Sequence, residues 1–375
     1  MKVDLKMDAL RHCGSCNYCR DFCPMYRELG SELDSPGGKL RALRAYGEKM
    51  LTKPPQELLD RLYCADCRRC EAVCPAGVPV TQVWHDAKAS LINSGGQRSE
   101  GLTKVLEWLQ KEGTPFVGYE AEDRTLWAED IELPAESNTA IFSGCMGSFW
   151  YPDQPEMVAD MMEKLKINVG YIPKEVCCGL MNYWAGDDKG FAHVAKENYK
   201  MFKKAGVDHI ITGCGGCYGT LKEHYPHFID GFDIKIHHTV EVQADMVRNG
   251  VLTFKAKEGS YTFHDSCHLG RALGVFEPPR EVIRAIPGVD LVEMANNREN
   301  SNCCGGFVSV IDPDLAESIG KKRVAEAVEL GVDGMITTCV SCYKNLSYCA
   351  RGTDLEVIQL DELILDLAQS SLVKE

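Results

Sequence analysis

Apolar residues fall into two kinds of run along this chain. In the N-terminal part they recur at helical spacing. Lys39-Leu-Arg-Ala-Leu-Arg-Ala-Tyr46 and Pro55-Gln-Glu-Leu-Leu-Asp-Arg-Leu62 each read as a helix, and Leu102, Val105, Leu106 and Leu109 mark an amphipathic helix over Leu102 to Lys111. From residue 139 onward, short apolar runs alternate with helical stretches. Thr139-Ala-Ile-Phe-Ser-Gly-Cys145 and Tyr261-Thr-Phe-His-Asp-Ser-Cys267 read as strands that end in cysteine. Lys204-Ala-Gly-Val-Asp-His-Ile-Ile-Thr-Gly-Cys214 aligns with Glu329-Leu-Gly-Val-Asp-Gly-Met-Ile-Thr-Thr-Cys339. Each is a helix end, a glycine stop suited to a left-handed C-cap, and an apolar strand. Asp312-Pro313 supplies an N-cap and first helical residue ahead of the Leu315/Ile319 stripe. The alternation predicts a parallel, Rossmann-like α/β sheet in each of two related halves. Gly118 to Asn138 is acidic and without period (Glu120, Glu122, Asp123, Glu129, Asp130, Glu132) and reads as a solvated strap.

The expected architecture is α+β multidomain. It has an α-helical module over 1–95, a linker over 96–138, a first α/β domain over 139–250 and a second over 251–375. Composition narrows the function. A net charge of −14 repels phosphate backbones and argues against nucleic acid. No run approaches 18 apolar residues, so no membrane span is expected, and the charged Met1 to Leu10 stretch lacks the apolar centre of a signal peptide. A cytoplasmic protein, or one held at the cytoplasmic membrane face through a partner, is the expectation. In that compartment 19 cysteines read as metal ligands or redox thiols, not structural disulfides.

Eight of those cysteines form two copies of C-x2-C-x2-C-x3-C-P: Cys13, Cys16, Cys19, Cys23-Pro24 and Cys64, Cys67, Cys70, Cys74-Pro75. This is the bacterial ferredoxin run, in which three thiolates wrap one cubane and the fourth ligates the other cluster. Cys13, Cys16, Cys19 and Cys74 are therefore assigned to one [4Fe-4S] cluster, and Cys64, Cys67, Cys70 and Cys23 to a second. The proline after each fourth cysteine is expected to end the local turn. Two zinc sites are the alternative, but zinc knots usually use paired C-x2-C units.

Ten more cysteines form a longer duplicated pattern. Cys145 is followed after 31 residues by Cys177-Cys178-Gly179, and after 34 more by Cys214-Gly-Gly-Cys217. Cys267 is followed after 35 residues by Cys303-Cys304-Gly305, and after 33 more by Cys339-Val-Ser-Cys342. Five thiols per copy are one too many for a tetrahedral metal or a single cubane, and no disulfide scheme uses five. An unusual iron–sulfur centre in each half is the reading, at strand ends and helix starts where open α/β sheets place ligands. The alternative leaves one half with zinc or as scaffold. No G-x-G-x-x-G follows a strand, so no flavin or nicotinamide is expected on this chain.

At these residues the chain resembles the heterodisulfide reductase family. The double CCG region resembles the B-type chain of that family, and the ferredoxin-plus-double-CCG order resembles its D-type chain. The resemblance implies two pseudo-symmetric halves that each hold a noncubane [4Fe-4S] cluster. It also implies a small-molecule disulfide cleaved between them by one electron from each, supplied through the ferredoxin module by a flavoprotein or ferredoxin-type partner. Carried onto this chain, one noncubane set is Cys145, Cys177, Cys178, Cys214 and Cys217, and the other is Cys267, Cys303, Cys304, Cys339 and Cys342, with Cys178 and Cys304 as candidate catalytic positions. The same domain order also resembles the iron–sulfur subunits of glycolate, lactate and glycerol-3-phosphate dehydrogenases and a subunit of the benzoyl-CoA reductase class. Tyr26 to Lys39 resembles the glycolate oxidase subunits in particular. On that alternative the chain only relays electrons for a flavin dehydrogenase or bifurcating complex.

Outside the cysteine frame, His264, His268 and Arg271 flank Cys267 as candidate proton donors or anion ligands, with hydrogen bonding behind the cluster as the plainer role. Trp150 and Tyr151 are candidates for the cleft wall or the core. His237-His238 is expected to be a solvated pair, Lys344 a surface lysine, and Cys349 a buried, inert thiol.

Overall fold

Two four-stranded parallel sheets carry the C-terminal two thirds of the chain. The structure, a computed structural model, describes residues 7–50, 56–129, 131 and 137–370. In the first sheet β1 (Thr139–Ile141), β2 (Gly170–Tyr171), β3 (His209–Thr212) and β4 (Lys235–His238) lie in the order β2-β1-β3-β4. After β5 (Leu252–Phe254), the second sheet comprises β6 (Gly259–His264), β7 (Val289–Leu291), β8 (Gly334–Thr337) and β9 (Glu356–Gln359) in the same order, β7-β6-β8-β9. A last strand, β10 (Ala368–Ser370), pairs antiparallel with β5. The duplication read in the cysteines is thus a duplication of topology. Ile141 of β1 lies against Ile211 of β3, and Phe263 of β6 against Ile336 of β8, so each first-cysteine strand is central and buried on both faces.

The helix between β7 and β8 begins as expected. Asp312 Oδ1 accepts from the Leu315 amide at 2.9 Å, Pro313 is the first helical residue, and Leu315 and Ile319 are buried in the helix Pro313–Val328. Gly206 (φ +69°) and Gly331 (φ +65°) turn the chain into β3 and β8 in the left-handed region.

The two halves exchange helices. Thr239–Arg248, which follows the first sheet, packs on Glu277–Arg284 of the second half. Leu360–Leu367, which follows the second sheet, packs on Asp153–Lys164 of the first. Buried polar groups pin the exchange: Asp361 accepts from Gln154 at 2.8 Å and from Gln243 at 2.6 Å. His238, expected in solvent, is fully buried instead. Its Nδ1 accepts from the Val240 amide at 3.2 Å while Glu241 accepts from the His238 amide, a capping box that starts the exchanged helix.

The N-terminal module is helical, with Pro36–Gly47, Gln56–Leu62 and Val80–Asn93 around Leu40, Leu43, Leu58, Leu59, Trp84 and Leu91. Pro55 lies outside the described residues. Pro24 does not end a turn; it opens the short helix Pro24–Leu29 at the first helical position, where its missing N–H costs nothing. The helix Glu100–Glu112 buries Leu102, Leu106 and Leu109 as its period implied. The acidic strap is less solvated than expected. Ala121–Ala128 is a 3-10 helix that buries Arg124 and Trp127, the arginine donating to Gly113 O at 2.8 Å. Two large buried side chains override a mostly acidic composition there. Asp130 and Glu132 of the strap lie outside the described residues. No described helix is long and apolar enough to cross a membrane.

Candidate metal centres and the cavity between the halves

The two ferredoxin-type runs fold alike in a way their spacing does not announce. Ser15 and Asn17 in the first, and Asp66 and Arg68 in the second, occupy matching places between the cysteines and all have φ between 49° and 60°. A left-handed conformation at a non-glycine residue costs about 1 kcal/mol, so four such residues in register mark a loop held by a common constraint. The loops bring together the thiols of one of the two expected sets. Cys23 from the first run and Cys64, Cys67 and Cys70 from the second line one small cavity with Lys39 and Trp84. At the other end Cys13 and Cys74 pack, half-buried, against the same core, and burial raises the Cys19 thiol to about 11 beside Cys13. Cys16 is exposed.

The remaining ten ligand candidates meet in one place. Cys145, Cys177, Cys178, Cys214 and Cys217 of the first half and Cys267, Cys303, Cys304, Cys339 and Cys342 of the second all line a single cavity of about 410 Å³. In each half the three cysteine groups follow the carboxyl ends of three adjacent strands, β2-β1-β3 and β7-β6-β8. Cys214 and Cys339 are the N-caps of the helices Gly215–Gly219 and Val340–Cys349. The glycine of each Cys-Cys-Gly is demanded by its backbone. Gly179 (φ +88°) and Gly305 (φ +79°) are left-handed, and a Cβ would stand 2.9 Å from Phe191 and 2.4 Å from Ala316 O.

The thiols lie close enough to act on one another. Cys145 and Cys177 Sγ are 3.7 Å apart. Hydrogen bonds from Cys303 and Cys342 pull the Cys304 thiol down to about 5, its Sγ also accepting from the Gly306 amide at 3.4 Å. Cys177 is lowered in the same way by Cys145 and Cys178. All 19 cysteines are free, and the convergence of soft donors without a disulfide in these two cavities fits iron–sulfur ligation there. The sets also touch: Cys67 hydrogen-bonds with Cys303, and Cys214 with Cys339.

The candidates around Cys267 separate into different roles. His268 lines the cavity, with Nδ1 3.9 Å from Cys267 Sγ and Nε2 3.5 Å from Asp66 Oδ2 of the N-terminal module. Burial alone would lower its pKa, but the Cys267 thiolate and the Asp66 carboxylate hold it well above the usual histidine range. His264 sits behind the cysteines. Burial, reinforced by Arg323, drives it down to about 3, and its Nδ1 accepts from Arg323 Nε at 3.1 Å. A neutral acceptor of this kind positions its neighbours and does not donate protons; a nitrogen of its ring lies within 4.8 Å of the Cys304 and Cys342 sulfurs. Arg271 is committed to backbone, donating to Cys67 O at 2.6 Å and Ser301 O at 2.7 Å, and thereby ties the second ferredoxin loop to the second half. Tyr151 packs at a tilt against Tyr343, their ring centroids 4.9 Å apart, while Trp150 stands at the cavity rim with Lys344, which is half-buried and lines the cavity instead of lying on open surface. Cys349 is buried outside every set, as expected.

Buried ions that no motif announces support these loops. Glu175, two residues before Cys177, accepts from Ser143 Oγ and the Gly144 amide, both at 2.7 Å. Burial raises it to about 7 against the pull of Arg124. Asp265, two residues before Cys267, is gripped by fully buried Arg280 through 2.7 and 2.9 Å bonds, and Arg280 also holds Glu293 at 2.6 Å. Removing one partner of such a group leaves buried charge uncompensated, so Arg280→Met is expected to cost about 3–5 kcal/mol. The check is thermal unfolding of the purified protein, where a fall of roughly 10 °C is expected.

The comparisons with known proteins agree with this geometry. Residues 139–222 and 261–347 match the family model described as "Cysteine-rich domain" (CCG), and residues 9–78 match a "4Fe-4S dicluster domain". The chain is thus a CCG-domain iron–sulfur protein with a fused N-terminal dicluster module. Among individual proteins it is similar to the D-type chain of the dihydromethanophenazine:CoB–CoM heterodisulfide reductase of Methanosarcina acetivorans, 27% identical over 96% of this chain and 94% of that one. It is also similar to the probable glycolate oxidase iron–sulfur subunit of Bacillus subtilis, 25% identical over 96% and 94%. A solved hypothetical protein from Helicobacter pylori shares the fold, with a TM-score of 0.55 at 12% identity over 88% of this chain and 67% of that one. This chain is thus an iron–sulfur protein related to the D-type chain of heterodisulfide reductase.

Proposed function

We propose that this chain is the disulfide-cleaving subunit of an iron–sulfur oxidoreductase complex. The observation that carries the reading is the convergence of ten cysteines from both halves on one cavity with an exposed rim at Trp150, Tyr119 and Val310. A pure relay needs its clusters close to one another but no way in for a small molecule, whereas this rim is open to solvent. Cys13, Cys16, Cys19 and Cys74 would hold one cubane, and Cys23, Cys64, Cys67 and Cys70 the other. The two five-cysteine sets would hold two noncubane clusters in two Rossmann-like halves, with the chain divided at residues 95, 138 and 250. Bound there, such clusters supply electrons one at a time. No flavin or nicotinamide site is read on this chain, so electrons come from a flavoprotein or ferredoxin-type partner, in the cytoplasm or at the cytoplasmic membrane face.

The residues divide the remaining work. Cleavage of R–S–S–R′ by two electrons and two protons yields RSH and R′SH. His268 holds a proton at the cavity wall between Asp66 and Cys267, where a leaving thiolate can take it. His264, Arg271 and Arg323 hold the loops behind the thiols. The apolar side chains of the wall limit water and with it unproductive loss of protons and electrons. The second reading, a relay for a flavin-dependent dehydrogenase, is favoured by the similarity to the glycolate oxidase subunit. Iron and sulfide analysis of anaerobically purified protein, with EPR before and after added thiol, separates the two. About sixteen iron atoms per chain and a new thiol-dependent signal are expected. About eight, with no such signal, would remove the disulfide reading.

A further inference from the structure

The lysines and arginines buried among the described residues divide by partner. Arg124, Arg280 and Arg323 each meet a carboxylate, that of Glu175, Asp265 and Glu326 respectively. Lys39, Arg69 and Lys88 of the N-terminal module are 2%, 4% and 3% exposed, and among the described residues none of them forms an ion pair. Carboxylates are not scarce, with 55 acidic against 41 basic side chains in the chain. A buried cation without a counter-ion is destabilising, so three in one place call for an anion that no side chain supplies.

All three face the same cysteines. Lys39 lines the small cavity with Cys23, Cys64, Cys67 and Cys70, and its charge acts on the Cys23 and Cys64 thiols. Lys88 acts on Cys64 as well, and Arg69, placed between Cys67 and Cys70, on Cys67. Asp66 acts on Lys88, but it is engaged with His268 at 3.5 Å. Aromatic faces hold the two ammonium groups: Lys39 Nζ is 6.0 Å from the Trp84 ring centroid, and Lys88 Nζ is 5.1 Å from that of Trp184 and 5.3 Å from that of Tyr63. The stretch from Ser35 to Lys39 fixes where the first of these lysines stands. Ser35 Oγ accepts from the Gly38 amide at 2.9 Å, and Pro36 opens the helix Pro36–Gly47. A Cβ at Gly37 would stand 2.7 Å from Asn17 Oδ1, and one at Gly38 would overlap Glu32 O. This close packing seats the first helical turn, and Lys39 with it, against the cysteine cavity.

We infer that Lys39, Arg69 and Lys88 are charge-compensating residues for the [4Fe-4S] cluster of Cys23, Cys64, Cys67 and Cys70, and that they set its reduction potential. Four thiolate ligands give such a cluster net negative charge, and one more electron adds another. Burial opposes that addition, and the three cations favour it. Cys67 hydrogen-bonds with Cys303, so the electron they favour rests beside the second five-cysteine set. The inference rests on the cubane reading of these four cysteines and deepens it. Lysines packed only for their apolar stems would leave the potential unchanged.

The test is an EPR-monitored redox titration of the holoprotein, with Cys70→Ala identifying the signal of this cluster by its loss. Lys39→Met and Lys88→Met are each expected to shift the one-electron equilibrium of that signal about tenfold against reduction, a midpoint lower by about 59 mV. Lys39→Arg and Lys88→Arg are expected to stay within about threefold of wild type, and the other signals not to move. The two lysines stand on different helices, Pro36–Gly47 and Val80–Asn93, so if one methionine variant does not fold the other decides. Unchanged midpoints would overturn the inference and leave the cluster assignment intact, as would equal shifts of every signal. If Cys70→Ala removes no signal, the assignment of the four cysteines falls, and the inference with it.

Discussion

Serine in place of Cys304 is expected to lower disulfide reduction by about a thousandfold or more while leaving the signals of the N-terminal clusters unchanged. Cys304 combines three features found together at few other positions. Its thiol is pulled down to about 5 by Cys303 and Cys342, the Gly306 amide points at its sulfur, and its loop is fixed by a left-handed glycine that tolerates no side chain. A hydroxyl keeps the size and loses the soft, anionic donor, since a serine oxygen remains protonated where this thiol does not. The fold should survive, because the loop is held from behind by Asn345, which donates to Cys304 O at 2.6 Å and Ala316 O at 3.0 Å. Cys349→Ser is the matched control. It changes a buried cysteine on a neighbouring element that belongs to no set, and it should leave activity near wild type. Activity retained in the Cys304 variant, measured by disulfide consumption under an inert atmosphere, would sink the assignment of the second five-cysteine set.

What could be read in advance follows how local the determinant is. Cysteine spacing, glycine stops and the Asp312-Pro313 start act within a few residues, so the meeting of the ten CCG cysteines, β1, β3, β6 and β8, and the helix after Asp312 were legible. Determinants that act across the chain were not. The exchange of helices between halves depends on Asp361 meeting Gln154 and Gln243, residues more than a hundred positions away. The burial of His238 and of Arg124 arises from packing partners that composition does not reveal, and a histidine pair and an acidic strap both pointed toward solvent. Lys344 read as surface because its helix shows no strong stripe; only the approach of Trp150 from the other half makes it part of the cavity. The buried Asp265–Arg280–Glu293 group had a faint signal, an acid two residues before the first cysteine of the second set, which Glu175 echoes two residues before the Cys-Cys pair of the first.

The second large effect concerns the order in which the sites are filled. Cys67 of the N-terminal module hydrogen-bonds with Cys303, Arg271 clamps Cys67 O, and Asp66 reaches His268; each of these contacts is to the second half. The first half meets the module through Arg68, paired with Glu223 at 2.7 and 3.0 Å, and through Trp184, which donates to Cys64 O, so among the described residues no cysteine-to-cysteine bridge leads there directly. The bridge between halves is Cys214 with Cys339. Electrons from a partner are therefore expected to reach the second five-cysteine set first and the first set through it. Cys70→Ala tests this without touching either set, since the groups that perturb Cys70 are the cysteines of its own set and Glu71. Turnover driven by a protein donor should fall by a hundredfold or more. A small reductant such as dithionite, which can enter the exposed cavity rim, should still support cleavage at a substantial fraction of the wild-type rate. Rapid-freeze EPR of wild type during reduction by a protein donor gives the complementary reading, with second-half signals changing before first-half ones. Simultaneous loss of both donor routes in Cys70→Ala, with the protein still folded, would mean that the N-terminal module shapes the cavity and does not merely feed it.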